Sequence, residues 1–291
     1  MVKELKETMC MLGISQSQLA AEVGYSPALI SQFFKGEYTG DVKKVEAALR
    51  SWLNARMGKT EMFLPDGIFR TDSVQTVNEA CFMSYNALKG GISLVYGDAG
   101  TGKTTGIRAF SEQYSFAVVI TATVCYTAKV LFAELAEKFG ESPSGNIHDT
   151  YLRVRRKLKG IKKVIIVDEA EHLPYRALDL LRSLQDETGC GLVLAGLERL
   201  KHNLKGRKGE YAQLWSRVSV GYKTKLATET EIAGILPSNF SKTAIKSIVQ
   251  ASGNNLRRVN KIADLAKHIA KINESDVTPE IIEKANTLLL S

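Results

Sequence analysis

A chain of 291 residues is long enough for two domains and a small third. With 44% hydrophobic residues it has material for buried cores, yet no apolar run approaches a bilayer-spanning length, so membrane-spanning classes drop out and no membrane partner is expected. It carries 39 Lys and Arg against 31 Asp and Glu, a net charge of +8, which suits a polyanionic partner and equally a plain basic surface. The four cysteines, Cys10, Cys81, Cys125 and Cys190, form no C-x-x-C pair and have no His at ligand spacing, which argues for a reducing compartment and against a zinc site. MVKELKETMC at the amino terminus has charge and no apolar run behind it, so the expectation is a cytoplasmic protein, in the host bacterial cytoplasm if phage-encoded.

Residues 1–57 read as short helices punctuated by Gly13, Gly24, Gly36 and Gly40, with apolar residues such as Leu19, Ile30, Val45 and Leu49 at helical spacing. Within them Ser15 caps one helix, Gly24 turns the chain, and Ser26 caps a second helix that starts at Pro27. This pattern resembles a repressor-type helix-turn-helix, whose second helix enters the major groove amino end first. Here that end is Pro27-Ala28, which offers base edges no side-chain donor. Gln16, Ser31, Gln32 and Lys35 remain for contacts with double-stranded DNA, so weak sequence discrimination is expected. Residues 58–70, with Pro65 and no periodicity, read as a linker.

Residues 71–225 change character. Short apolar runs at 92–96, 116–121, 164–167, 192–195 and 218–222 alternate with amphipathic stretches, as in an α/β doubly wound parallel sheet. Gly97-Asp98-Ala99-Gly100-Thr101-Gly102-Lys103-Thr104 fits G-x-x-x-x-G-K-[ST] and stands between a strand and a helix, the context this phosphate-binding loop requires. Its backbone N–H groups and helix N-terminus suit phosphate oxygens, and Lys103 suits the β and γ phosphates of ATP. The Thr104 hydroxyl suits Mg²⁺, and Thr105 is counted with the nucleotide contacts.

The run Val164-Ile165-Ile166-Val167 has no polar alternation, as a strand covered on both faces requires, and it ends in Asp168-Glu169. Acids after a strand also suit a helix N-terminus. Beside a complete P-loop the stronger reading gives Asp168 to Mg²⁺ and Glu169 to polarising the attacking water. Residues 226–291 show only helical stretches, at 242–251, 256–271 and 279–289, the last opened by Thr278, Pro279 and Glu280.

With these segments in order, followed by GLVLAG, YAQLWSRV and NNLRRVNKIADLA, the chain resembles the AAA+ ATPases and, among them, the B-type transposition proteins of Mu-like phages. The resemblance implies a P-loop AAA+ domain with a helical lid, preceded by an all-α helix-turn-helix domain. It also implies ATP-dependent helical filaments of the homo-oligomer on DNA with little sequence preference, and delivery of that target to a transposase that stimulates hydrolysis. It makes Arg217 the arginine finger given to a neighbour's ATP and Arg257 the lid arginine that senses nucleotide, with Arg258 as fallback. A helicase loader or replication initiator, or an ATP-sensing transcription regulator, would share much of this pattern. One departure stands out. Many AAA+ proteins end the fourth core strand with a polar residue near the attacking water, whereas Val193-Leu194-Ala195-Gly196-Leu197 has none, leaving the role unfilled or approximated by Glu198.

Two basic clusters complete the reading. Residues 151–163 hold Arg153, Arg155, Arg156, Lys157, Lys159, Lys162 and Lys163 with no acid among them, and a second group is Arg199, Lys201, Lys205, Arg207 and Lys208. Concentrated like charge is relieved by phosphate, so a DNA track is expected here; a solvated helix face is the alternative.

Overall fold

A computed structural model describes residues 14–57, 68–205 and 211–289, with isolated positions 2, 5, 6 and 9 ahead of them. The expected linker positions 58–67, and Arg207 and Lys208, lie outside the described residues. The chain divides into two compact units, Met1–Glu61 and Met62–Ser291.

The first unit contains α1 (Gln16–Val23), α2 (Pro27–Lys35) and α3 (Val42–Met57). Ser15 opens α1 with a reciprocal cap: its hydroxyl accepts from the Gln18 N–H at 3.2 Å, and the Gln18 side chain accepts from the Ser15 N–H at 2.8 Å. Gly24 ends α1 at φ 74, where a side chain would be strained, and this releases the chain into the turn. The Ser26 hydroxyl accepts from the Leu29 N–H and opens α2, with Pro27 in its first turn. Leu19, Ala20, Ile30, Val45, Leu49 and Trp52 close the core between the helices.

The second unit is built on a parallel sheet in the order β2-β3-β4-β1-β5, where β1 is Ile92–Tyr96, β2 Ala117–Thr121, β3 Val164–Asp168, β4 Gly191–Gly196 and β5 Val218–Lys223. Both faces are covered. On one face Ile165, Val167, Leu192 and Leu194 pack against α6 (Ala128–Lys138), α7 (Ile147–Leu158) and α8 (Tyr175–Thr188). On the other, Val164, Ile166, Val193 and Ala195 pack against α4 (Asp72–Asn86) and α5 (Lys103–Gln113). Alternate residues of each strand face opposite layers, so a two-sided core demands the unbroken apolar run of β3.

α4 is a helix that no local pattern singles out. DSVQTVNEACFMSYN has weak helix formers, and the helix is held by its Thr71 cap and by Val77, Ala80, Cys81 and Tyr85 against the sheet. Phe116, expected to begin β2, lies just before it, stacked 4.0 Å from the Tyr85 ring. Short α9 (Glu198–Lys205) and α10 (Ala212–Trp215) lie between β4 and β5. The chain then runs through α11 (Glu229–Ile235), α12 (Lys242–Ser252), α13 (Leu256–Ile272) and α14 (Pro279–Leu288), joined by a core of their own around Ile248, Val259, Ile262, Ala266 and Ile282. α11 opens on a Thr228–Glu231 capping box, a start signal local to its sequence. Among the described residues no helix is long and apolar enough to cross a membrane.

Candidate active site

The loop after β1 and the acids after β3 meet at the carboxyl end of the sheet, on either side of β4. Lys103 is buried, and its ammonium donates to the Gly97 and Asp98 carbonyls at 2.8 Å each. Burial pushes its pKa below the ordinary lysine value, against the opposing pull of Asp168 and Glu169. The Thr101 hydroxyl donates to the Asp98 carbonyl at 3.1 Å and lies 2.9 Å from the Thr224 hydroxyl, which pins the loop to the end of β5. Gly100 needs to be glycine twice over: its φ is 80, and a Cβ there would stand 2.1 Å from the Asn255 side-chain oxygen.

The Thr104 hydroxyl donates to Asp168 Oδ2 at 2.7 Å, and Asp168 is 2% exposed. Two hard oxygen donors at that spacing, beside a buried ammonium and a helix N-terminus, fit a magnesium nucleotide. The other Asp168 oxygen accepts the Glu169 N–H at 3.0 Å. Glu169 itself takes φ 53, a left-handed conformation that costs a non-glycine residue energy and turns the chain sharply after the strand. Burial raises the pKa of its carboxyl, and the nearby Glu171 and Asp168 carboxylates raise it further.

The lid closes the site. Leu256 N–H donates to the Gly100 carbonyl at 2.9 Å, and the Asn255 amide donates to the Ala99 carbonyl at 2.8 Å while its oxygen caps α13. Together they frame a cavity of about 480 Å³ whose lining includes the polar Lys103, Thr104, Thr105, Glu169 and Arg257 and the apolar Ile68, Val74, Ile235 and Leu256. That is a size and chemistry suited to a small ligand with a flat apolar part and an anionic tail. Ala99, Gly100 and Gly102 also line it, whereas Gly97, Asp98 and Thr101 shape the loop from behind. Of the two lid arginines, Arg257 faces this cavity, and Arg258 turns inward to the Asn286 side chain at 2.8 Å.

The comparisons with known proteins agree with this geometry. The model of the AAA domain matches residues 87–204 and a helix-turn-helix model matches residues 5–50. The Mu-like prophage FluMu DNA transposition protein B of Haemophilus influenzae is 31% identical over 266 residues, covering 87% of this chain and 92% of that protein. The ATP-dependent target DNA activator B of Escherichia phage Mu is 31% identical over 277 residues, 92% of this chain and 88% of that one. This chain belongs to the Mu B transposition protein family. It is an AAA+ ATPase of that family and binds nucleotide. Among solved structures, Cdc6p from Pyrobaculum aerophilum aligns with a TM-score of 0.62 at 16% identity, over 79% of this chain and 70% of that one, a likeness of fold.

In this Mu B family member Glu198, the candidate for the missing polar residue of β4, is engaged elsewhere. Its carboxylate pairs with Lys223 at 3.2 Å. The polar group at the end of β4 is the carboxylate of Glu171. Its side chain is fully buried, and one oxygen accepts the Leu197 N–H at 3.1 Å and faces Arg199 Nε at 3.4 Å. His172 lies beside them, 3.3 Å from Arg199. No local signal betrays Glu171, because its place depends on β3 and β4 being neighbours.

Arg217 sits at the amino end of β5, whose register pairs Val218 with Ile92. The P-loop follows the other end of β1, roughly 16 Å away at about 3.3 Å per strand residue. Arg217 is exposed and 3.6 Å from Asp186, outside the site of its own chain.

Part of the charge on α7 is answered within the chain. Arg155 pairs with Glu187 at 2.7 Å, Lys157 with Glu141 at 3.1 Å, and Arg153 donates to the Ser142 and Ser144 carbonyls. These partners come from other segments, which a scan for acids within residues 151–163 could not reveal. Arg156 is exposed and makes no hydrogen bond or ion pair among the described residues. On α9, Lys201 lies 4.5 Å from the centre of the Tyr96 ring and donates to its hydroxyl, and Lys205 lies 5.4 Å from that of Trp215. In the helix-turn-helix Gln16, Gln32 and Lys35 are exposed and Ser31 is half-buried.

Proposed function

We propose that this protein is an ATP-operated clamp on target DNA, assembling as a filament in the triphosphate state and handing the DNA to a transposase. In each protomer Lys103 and the loop amides hold the phosphates, and Thr104 and Asp168 hold Mg²⁺, which supplies charge neutralisation on the β and γ phosphates. Glu169 takes the proton of the attacking water. Arg257 reads the nucleotide from the lid. Arg217 reaches the γ-phosphate of a neighbouring copy, so nucleotide joins adjacent protomers and its hydrolysis separates them.

The observation that carries this reading is the placement of the two arginines. Arg257 lines the nucleotide cavity, whereas Arg217 is exposed at the opposite end of the sheet, away from its own chain's P-loop and accessible to another copy. The relatives support the partners: one is named for activating target DNA in an ATP-dependent manner, another for DNA transposition. The helix-turn-helix and the basic residues Arg153, Arg155, Arg156, Lys157, Lys201, Lys205, Arg207 and Lys208 are the proposed DNA contacts, with Gln16, Ser31, Gln32 and Lys35 on the first unit. Arg156 carries the most weight among them, being free of intramolecular partners among the described residues.

The test is Glu169→Gln. That variant binds ATP and dissociates from plasmid DNA more slowly than the parent, followed by fluorescence of labelled protein after dilution; faster release contradicts the clamp. DNA- and transposase-dependent stimulation of turnover is measured in the same preparation.

A further inference from the structure

Glu171 is a buried carboxylate placed where burial is costly. One oxygen is engaged by the Leu197 N–H and the Arg199 guanidinium. The other has no hydrogen-bond partner among the described residues and is shielded from solvent. It lies directly over the end of β4: a Cβ on Gly196 would stand 2.0 Å from it. Glycine at 196 therefore clears the space in which a terminal side chain of β4 would otherwise stand, and the Glu171 carboxylate fills that space from the β3 side. The carboxylates of Glu169 and Glu171 and the His172 ring offer atoms all within 4.8 Å of one another, and Glu169 and Leu197 both line the nucleotide cavity. A metal ion is a poor occupant of this cluster, because the Arg199 guanidinium already contributes the cation, at 3.4 Å from Glu171 and 3.3 Å from His172.

We propose that Glu171 is a positioning residue for Glu169, taking over in space the polar group that β4 lacks, and that Arg199 holds it there. The unengaged oxygen is a fixed polar group beside Glu169, held at the end of β4 behind the cavity wall. The Leu197 N–H and Arg199 prevent the glutamate from swinging out. Arg199 belongs to α9, so the same pair ties Glu171 to a helix that also carries Lys201 and Lys205.

This inference rests on the ATPase reading, and the experiment separates the two. Steady-state ATP turnover by the full-length protein with plasmid DNA, and binding of a fluorescent ATP analogue, are measured for the parent, Lys103→Ala, Glu171→Ala, Glu171→Gln, Arg199→Ala and Gly196→Ala. A parent no faster than Lys103→Ala removes the ATPase reading itself. Given a working parent, Glu171→Ala lowers kcat at least about tenfold, the scale of a misplaced catalytic group, with KM for ATP held within about twofold. Glu171→Gln, which keeps an acceptor for the Leu197 N–H and a polar group over Gly196, retains at least about half of kcat. Arg199→Ala falls between them. Gly196→Ala reproduces the kcat loss by displacing the carboxylate without removing it, which covers the case in which Glu171→Ala does not fold. Unchanged kcat in both Glu171→Ala and Gly196→Ala overturns the proposal. So does a Glu171→Gln variant no better than Glu171→Ala, or a loss shared equally by kcat and analogue affinity.

Discussion

The carboxyl end of the sheet and the outer face of α7 are both dense in charge, and they differ in how that charge is answered. At the sheet end, Lys103, Thr104, Asp168 and Glu169 come from two short segments, and they converge because strands β1 and β3 end on the same side. On α7 Arg155 and Lys157 are answered by Glu187 and Glu141 from segments outside the helix, and Arg156 is left to solvent. Convergent charge of both signs around a cavity makes a site. Like charge along a helix says little until the neighbouring elements are known.

The largest effect expected from this contrast concerns Arg217, which belongs to neither region of its own protomer. Arg217→Ala should lower kcat at saturating ATP and DNA by at least roughly a thousandfold while leaving binding of a fluorescent ATP analogue intact. Retained turnover would remove the neighbour from the chemistry. Next comes Glu169→Gln, where a loss of at least about a hundredfold in kcat is expected with nucleotide affinity preserved. Comparable losses of both would mean that Glu169 shapes the cavity and does no proton transfer.

On the α7 side the comparison can be sharpened by separating two adjacent arginines. Arg156→Glu should flatten the plot of log affinity against log salt by about 1, the value of one phosphate contact, on any DNA sequence. Arg155→Glu should flatten it less, because Arg155 is already engaged by Glu187. Equal effects would show that the Glu187 pair opens on DNA. The smallest effect concerns the helix-turn-helix: Ser15→Ala removes the α1 cap and should cost about 1 kcal/mol, read from denaturant unfolding of the first unit. No change would mean that packing around Leu19 and Ile30 holds the turn by itself.

How much of this was legible in the sequence follows the same division. The P-loop, the Asp168–Glu169 pair and the caps at Ser15, Ser26 and Thr278 are local patterns, each fixed by residues a few positions apart, and the structure has them where the patterns lie. The continuous apolar run of β3 announced a strand covered on both faces. What escaped depends on neighbours distant in the chain. α4 draws its stability from the sheet beneath it, Glu171 acquires its place from Gly196 on the next strand, and Arg257 is told from Arg258 only by which one the lid turns toward the cavity. Helical spacing cannot supply such information, because adjacent residues on a helix differ by about 100° and either could face inward.

The central claim is that triphosphate joins neighbouring copies on DNA. Electron microscopy of the purified protein with plasmid DNA and a slowly hydrolysed ATP analogue tests it most directly. The account expects DNA coated along its length with the analogue, bare DNA without it, and bare DNA for Arg217→Ala under both conditions. Equal coating with and without nucleotide, or naked DNA and single protomers throughout, would contradict it.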